Sequence, residues 1–162
     1  MSWVKLAREL LYLKIRDMKY FKFEEFSRSE TAKLHHINNS LTPEAKANIQ
    51  ELVDNLLDNL REDWASYCSK KGYKNPAIAV SSGFRCPKLN KLVGGTATSV
   101  HQIGAAADLV PSNGKTKEFI SFTMQWVNGR KFDQCINEYS KWVHLSFKNN
   151  RGEQRQQIFK IQ

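Results

Sequence analysis

Between Thr42 and Gly72, apolar residues recur at three- and four-residue steps: Ile49, Leu52, Val53, Leu56, Leu57, Leu60 and Trp64. That spacing lays all seven along one face of a helix, and so wide an apolar face has to be buried against a second layer of structure. The ends are marked too. Thr42 offers an N-cap oxygen, Pro43 suits the first helical position, and Glu44 sits at the positive end of the helix dipole. Gly72 supplies the residue that stops the helix. The stripe predicts core packing, not a ligand box.

Beyond Gly72 the period changes. Residues 77–82 and 105–110 read as strands, 87–93 as a short helix closed by Gly94-Gly95, and 115–127 as a helix ended by Asn128-Gly129. The runs 132–138 and 142–147 flank Tyr139-Ser140-Lys141 and read as a hairpin, and 156–161 adds an edge strand. Helix first and hairpin-joined strands later predict an α+β fold, with N-terminal helices packed on a mainly antiparallel sheet. A chain of 162 residues suits one such domain. The expected division is a domain over 18–162 and a basic amphipathic extension over 1–17. That extension places Trp3, Leu6, Leu10 and Leu13 at near-helical spacing, with Lys5, Arg8, Lys14 and Arg16 among them. It either packs on the domain or touches an anionic membrane.

Charge narrows the function classes. The formal net charge is +9, but the 25 Lys and Arg residues are scattered, without a basic run or an RNP-type aromatic motif. This argues against nucleic acid as the partner and fits a solvated basic surface drawn to an anionic wall polymer or membrane. Cys68, Cys86 and Cys135 are odd in number and show no CxxC spacing, so reduced thiols are expected. Charges at Lys5, Arg8 and Glu9 interrupt any signal-peptide core, and no stretch has the roughly 20 apolar residues of a membrane span. The expectation is a monomer made in the cytoplasm.

The chain has 4 histidines, and two of them keep unusual company. His101 opens a loop rich in small residues that ends in Asp108, an acid set between Ala107 and Leu109 in an apolar strand. His144 stands in the equally apolar Trp142-Val143-His144-Leu145. A carboxylate in such a place needs a metal or a salt bridge. Two histidines and a carboxylate with an open fourth position form the ligand set of a catalytic zinc site, although a lone strand histidine is more often a hydrogen-bonded core residue. His35 and His36, adjacent on a loop-like segment, read as surface residues.

Three ordered blocks then resemble one family. They are Ser82-Gly83-Phe84-Arg85-Cys86-Pro87 with Leu89-Asn90 and Val93-Gly94-Gly95; Ser99-x-His101-x-x-Gly104-x-Ala106-x-Asp108; and Phe132-Asp133 through Glu138 to Trp142-Val143-His144. From about Phe21 to Phe147 the chain is similar to the zinc D-Ala-D-Ala carboxypeptidases and L-alanyl-D-glutamate endopeptidases of cell walls and phage lysis. Vancomycin-resistance dipeptidases and the Hedgehog signalling domain share that metal site. The resemblance implies one catalytic zinc ion on His101, Asp108 and His144, and Glu138 as general base. It also implies Arg85 as a contact to substrate oxygen or carboxylate, Ser99 as a positioning hydroxyl, and peptidoglycan stem peptides as substrate. A surface salt bridge for Arg85 and a turn cap for Ser99 are the structural alternatives. A non-catalytic zinc-bearing binding module and a basic nucleic-acid or membrane-binding protein are the alternatives for the whole chain.

Some members of that family carry the acid nearer the last histidine, where this chain has Lys141. Strand parity bears on the base. With a three-residue loop over 139–141, Glu138 pairs with Trp142 and Ile136 with His144, which puts Glu138 and His144 on one face and Asp133 on the other. A two-residue loop reverses this.

Overall fold

The computed structural model describes residues 18–162. The amphipathic start predicted over 1–17 lies outside the described residues. Two short helices, α1 (Phe23–Ser27) and α2 (Glu30–Leu34), precede the long helical layer. That layer is not one α-helix, as the stripe predicts, but α3 (Pro43–Leu52), a π-helical turn (Val53–Leu57) and α4 (Asp58–Lys71). A widened turn still keeps residues four apart on nearly one face, so apolar spacing does not distinguish it from an α-turn. The ends are as read: Thr42 Oγ1 accepts from the Ala45 N–H at 3.0 Å, and Gly72 caps α4 with φ 71°. All seven stripe residues have no solvent exposure.

Five strands follow in the sheet order β1-β2-β4-β3-β5: β1 (Ile78–Ser82), β2 (Ala106–Pro111), β3 (Gln134–Glu138), β4 (Trp142–Ser146) and β5 (Gln157–Ile161). Between them lie α5 (Pro87–Leu92), a 3-10 turn (Val100–Ile103) and α6 (Thr116–Trp126). The pairs β1–β2, β2–β4 and β3–β4 are antiparallel, while β5 runs parallel to β3. The direction of β5 follows from where the chain is. Ser146 ends β4 opposite Gln134, the start of β3, and Gln157 begins β5 beside that same Gln134.

One face of the sheet meets the helices. Ala107, Leu109, Cys135, Val143 and Leu145 point into a core with Trp64, Phe119 and Phe132. Each fully buried Val, Leu or Phe side chain among them contributes about 1.5–3 kcal/mol relative to exposure. Alternation along the strands then sends Asp108, Ile136 and His144 to the opposite face, where the 3-10 turn packs on β2. The cysteines are free, as expected. No helix among the described residues is long and apolar enough to cross a membrane.

Candidate active site

His101 is carried by the 3-10 turn, which ends in Gly104 at φ 76°. A side chain there would meet the Ala45 carbonyl oxygen at 2.7 Å, so the approach of this turn to α3 requires glycine. His101 Nδ1 lies 2.6 Å from the Gly83 carbonyl and donates to it, which leaves Nε2 with its lone pair turned inward. Asp108 and His144 face each other as Cα partners across β2 and β4. His101 Nε2 stands 3.2 Å from His144 Nδ1 and 3.4 Å from Asp108 Oδ1, and the third edge, His144 Nδ1 to Asp108 Oδ1, is 3.0 Å. All three residues are buried.

The donor set fits zinc. Tetrahedral bonds of about 2.0–2.2 Å separate neighbouring ligand atoms by roughly 3.3–3.6 Å, close to the edges of this triangle. Glu138 stands beside it, with Oε1 3.9 Å from His144 Nδ1 and Oε2 accepting from Trp142 Nε1 at 3.0 Å. Its position comes from the hairpin. Glu138 pairs with Trp142 and Ile136 with His144, and Tyr139 and Ser140 turn the chain at φ 57° and 56°. Asp133 takes its partners elsewhere, from Arg155 and from Ser146, which shares the His144 face of β4, so the opposite facing expected from parity is not what its contacts show. Fully buried, it accepts from Arg155 Nε and Nη2 at 2.7 and 2.8 Å and from Ser146 Oγ at 3.3 Å.

A family model described as Peptidase M15 matches residues 19–146. The chain belongs to the peptidase M15 family. This is the zinc peptidase family of the D-Ala-D-Ala carboxypeptidase type. No curated protein matches the chain.

In this M15 peptidase the triangle opens into a groove of about 940 Å³, lined by Arg85, Ser99 and Glu138 as well as by His101, Asp108 and His144. All six residues singled out in the sequence therefore meet in one cleft. Burial lowers the His101 pKa and favours the neutral imidazole that a metal requires. Burial works to raise Asp108, but His101 and His144 hold it well below the usual carboxylate range. With the protein's own charges alone, burial first and the Asp108 carboxylate second push Glu138 upward.

Arg85 is half-buried in the groove wall, and its Nε is buried without a hydrogen-bond partner among the described residues. Burial lowers its pKa while Asp108 and Glu138 act the other way. Among the described residues it makes no ion pair. Ser99 precedes the 3-10 turn without capping it through its side chain, so the turn-cap alternative fails. His35 and His36 are exposed and stand apart from the group.

Sequence reasoning missed several supports: the Gly83 carbonyl, the Trp142 indole N–H, and a wall of the groove formed by Asn149, Asn150, Arg151 and Arg155. Only Trp142 carried a signal, its pairing with Glu138 across the hairpin. A backbone carbonyl and a loop folded back from the C-terminal segment leave no pattern.

Proposed function

We propose that this M15 peptidase uses one zinc ion to hydrolyse peptide bonds in the stem peptides of bacterial peptidoglycan, in the manner of a D-Ala-D-Ala carboxypeptidase or an L-alanyl-D-glutamate endopeptidase. The observation that carries this reading is the meeting of three buried ligand atoms with a free carboxylate in one groove. His101 Nε2, Asp108 Oδ1 and His144 Nδ1 hold the ion, and three ligands leave the open position of a catalytic site. Bound zinc supplies Lewis-acid chemistry, lowering the pKa of water and polarising the scissile carbonyl.

Glu138 does the proton work. Trp142 Nε1–H steadies Oε2, and Oε1, on the side of His144, takes the proton of the attacking water and returns it to the leaving amine. Arg85, with its unpartnered Nε, meets the substrate carboxylate or the developing oxyanion. The Ser99 hydroxyl orients the substrate. A monomer suffices for this chemistry, because every group named belongs to one chain. The enzyme acts on the wall after release from the cell, as a phage endolysin does, or on wall precursors inside it. Residues 18–162 form the catalytic domain, and 1–17 add peripheral contact with an anionic membrane or wall polymer.

Mass spectrometry of peptidoglycan digests tests the reading. New amine and carboxyl termini within stem peptides are expected, and their position identifies the bond. Fragments unchanged by the zinc-loaded protein contradict it.

A further inference from the structure

The groove continues beyond the residues this mechanism uses, and its far wall comes from residues 147–162, past the stretch that matches the family. Ser146 stands two residues along β4 from His144, about 7 Å away. Across from Ser146 lies Gln134, and across from Gln134 lies Gln157, two residues after Arg155. Arg155 and Arg151 both line the groove at this end.

Arg155 is held in one orientation. Its Nε and Nη2 are fixed on the carboxylate of Asp133, which has no solvent exposure, while the Arg155 side chain itself is 37% exposed. A guanidinium carries five N–H groups, so this pairing leaves donors to spare for a second acceptor. Arg151 rides on a turn that is tied down twice. Buried Asn149 accepts from the N–H groups of Arg151 and Glu153 through Oδ1, and Asn150 Nδ2 donates to the Thr98 carbonyl at 2.7 Å, next to Ser99. The Arg151 side chain is 78% exposed, with one nitrogen 3.0 Å from Glu153.

We propose that Arg151 and Arg155 form a second subsite that binds a free carboxylate of the peptide substrate, distinct from the group met by Arg85. The inference rests on the peptidase reading of the groove. Asp133 serves as a positioning residue, orienting the Arg155 fork without reaching solvent. Two sources supply such a carboxylate in a stem peptide: the C terminus, and the carboxylate left free beside a γ-linked D-glutamyl bond.

Four synthetic stem peptides separate these sources, with the C terminus free or amidated and the D-glutamyl carboxylate free or amidated. Amidation of one of the two is expected to raise KM by about ten- to a hundredfold. Arg155→Lys should abolish most of that discrimination, and Arg151→Ala should weaken it by about two- to fivefold. Arg155→Lys also disturbs Asp133, so its melting temperature is followed in parallel. A purely structural role moves that temperature and leaves the amidation ratio intact, which overturns the subsite. Dissociation constants of the same peptides on the Glu138→Gln protein give a readout independent of turnover. An amidation penalty in binding without any cleavage by the wild type overturns the peptidase reading and supports the subsite. Binding and KM that both ignore amidation overturn the subsite and leave the peptidase reading standing.

Discussion

Glu138→Gln keeps the size of the side chain and an oxygen for the Trp142 N–H, yet removes the ability to accept a proton. The expected outcome is full zinc content with turnover reduced by about 10²–10⁴-fold in a stem-peptide assay, and near-normal turnover would reopen the search for the base. Arg85→Lys tests the other polar group of the groove. A point charge does not reproduce the planar fork of arginine, so this variant should retain zinc and lose activity, whereas a wild-type rate would reduce Arg85 to a bystander. Asp108 and His144 were legible because each broke a local rule, being polar residues within apolar strands where burial is tolerable only with partners, whereas Arg85 came from the family resemblance. Glu138 was legible through the family resemblance and through parity, which turned on a three-residue loop at Tyr139-Ser140-Lys141 that the register bears out. Arg155 left no such mark, since its partner Asp133 is 22 residues away in sequence and only the folded sheet brings the two together.

The helices and strands themselves followed from periodicity, caps and glycines, while the π turn at Val53–Leu57 and the parallel direction of β5 did not. A strand's own pattern shows which face is buried and says nothing of which neighbour it joins. The short helices α1 and α2 escaped for a related reason, since five residues each are too few to show a period. One contact between elements yields a pH prediction. Glu118 on α6 accepts from Tyr67 at the end of α4 and from Tyr73 just beyond it, and these hydrogen bonds hold its carboxyl below the usual range, Tyr67 foremost. The same bond to Glu118, with burial behind it, pushes the Tyr67 hydroxyl up to about 12. A depressed acid contributes stability above its unfolded pKa of about 4.3 and loses it as pH falls through the folded value. The raised phenol contributes below its unfolded value of about 10 and loses it as pH rises towards 12. Melting temperatures measured from pH 3 to pH 11 should therefore fall at both ends, and Glu118→Gln should flatten the acid limb; an unchanged acid limb would remove this contact from the account. Gly83→Ala makes a second test, because a Cβ there would lie 2.6 Å from the Phe26 carbonyl oxygen. Shifting Gly83 also moves the carbonyl that orients His101, so lower stability together with weaker zinc binding is expected, and zinc affinity equal to wild type would mean the carbonyl does not set that ligand.

At the scale of the molecule, a helical layer supports one face of a five-stranded sheet and leaves the other face to form the groove. This division of labour was readable from the sequence, because the apolar stripe of 42–72 demanded a second layer and the strands supplied it. The wall of the groove formed by Asn149, Asn150, Arg151 and Arg155 was not, since it is assembled from a loop near the C terminus tied to Thr98. A protein beginning at Met18 should fold and cleave stem peptides if residues 1–17 are peripheral; an insoluble or inactive product would assign them to the core. The claim on which the rest depends is that His101, Asp108 and His144 together hold a single zinc ion. Elemental analysis of protein purified without chelator tests it most directly. One zinc per chain is predicted for the wild type and a clear deficit for His101→Ala, and a wild type without stoichiometric zinc, or a His101→Ala protein that keeps it in full, would contradict the account.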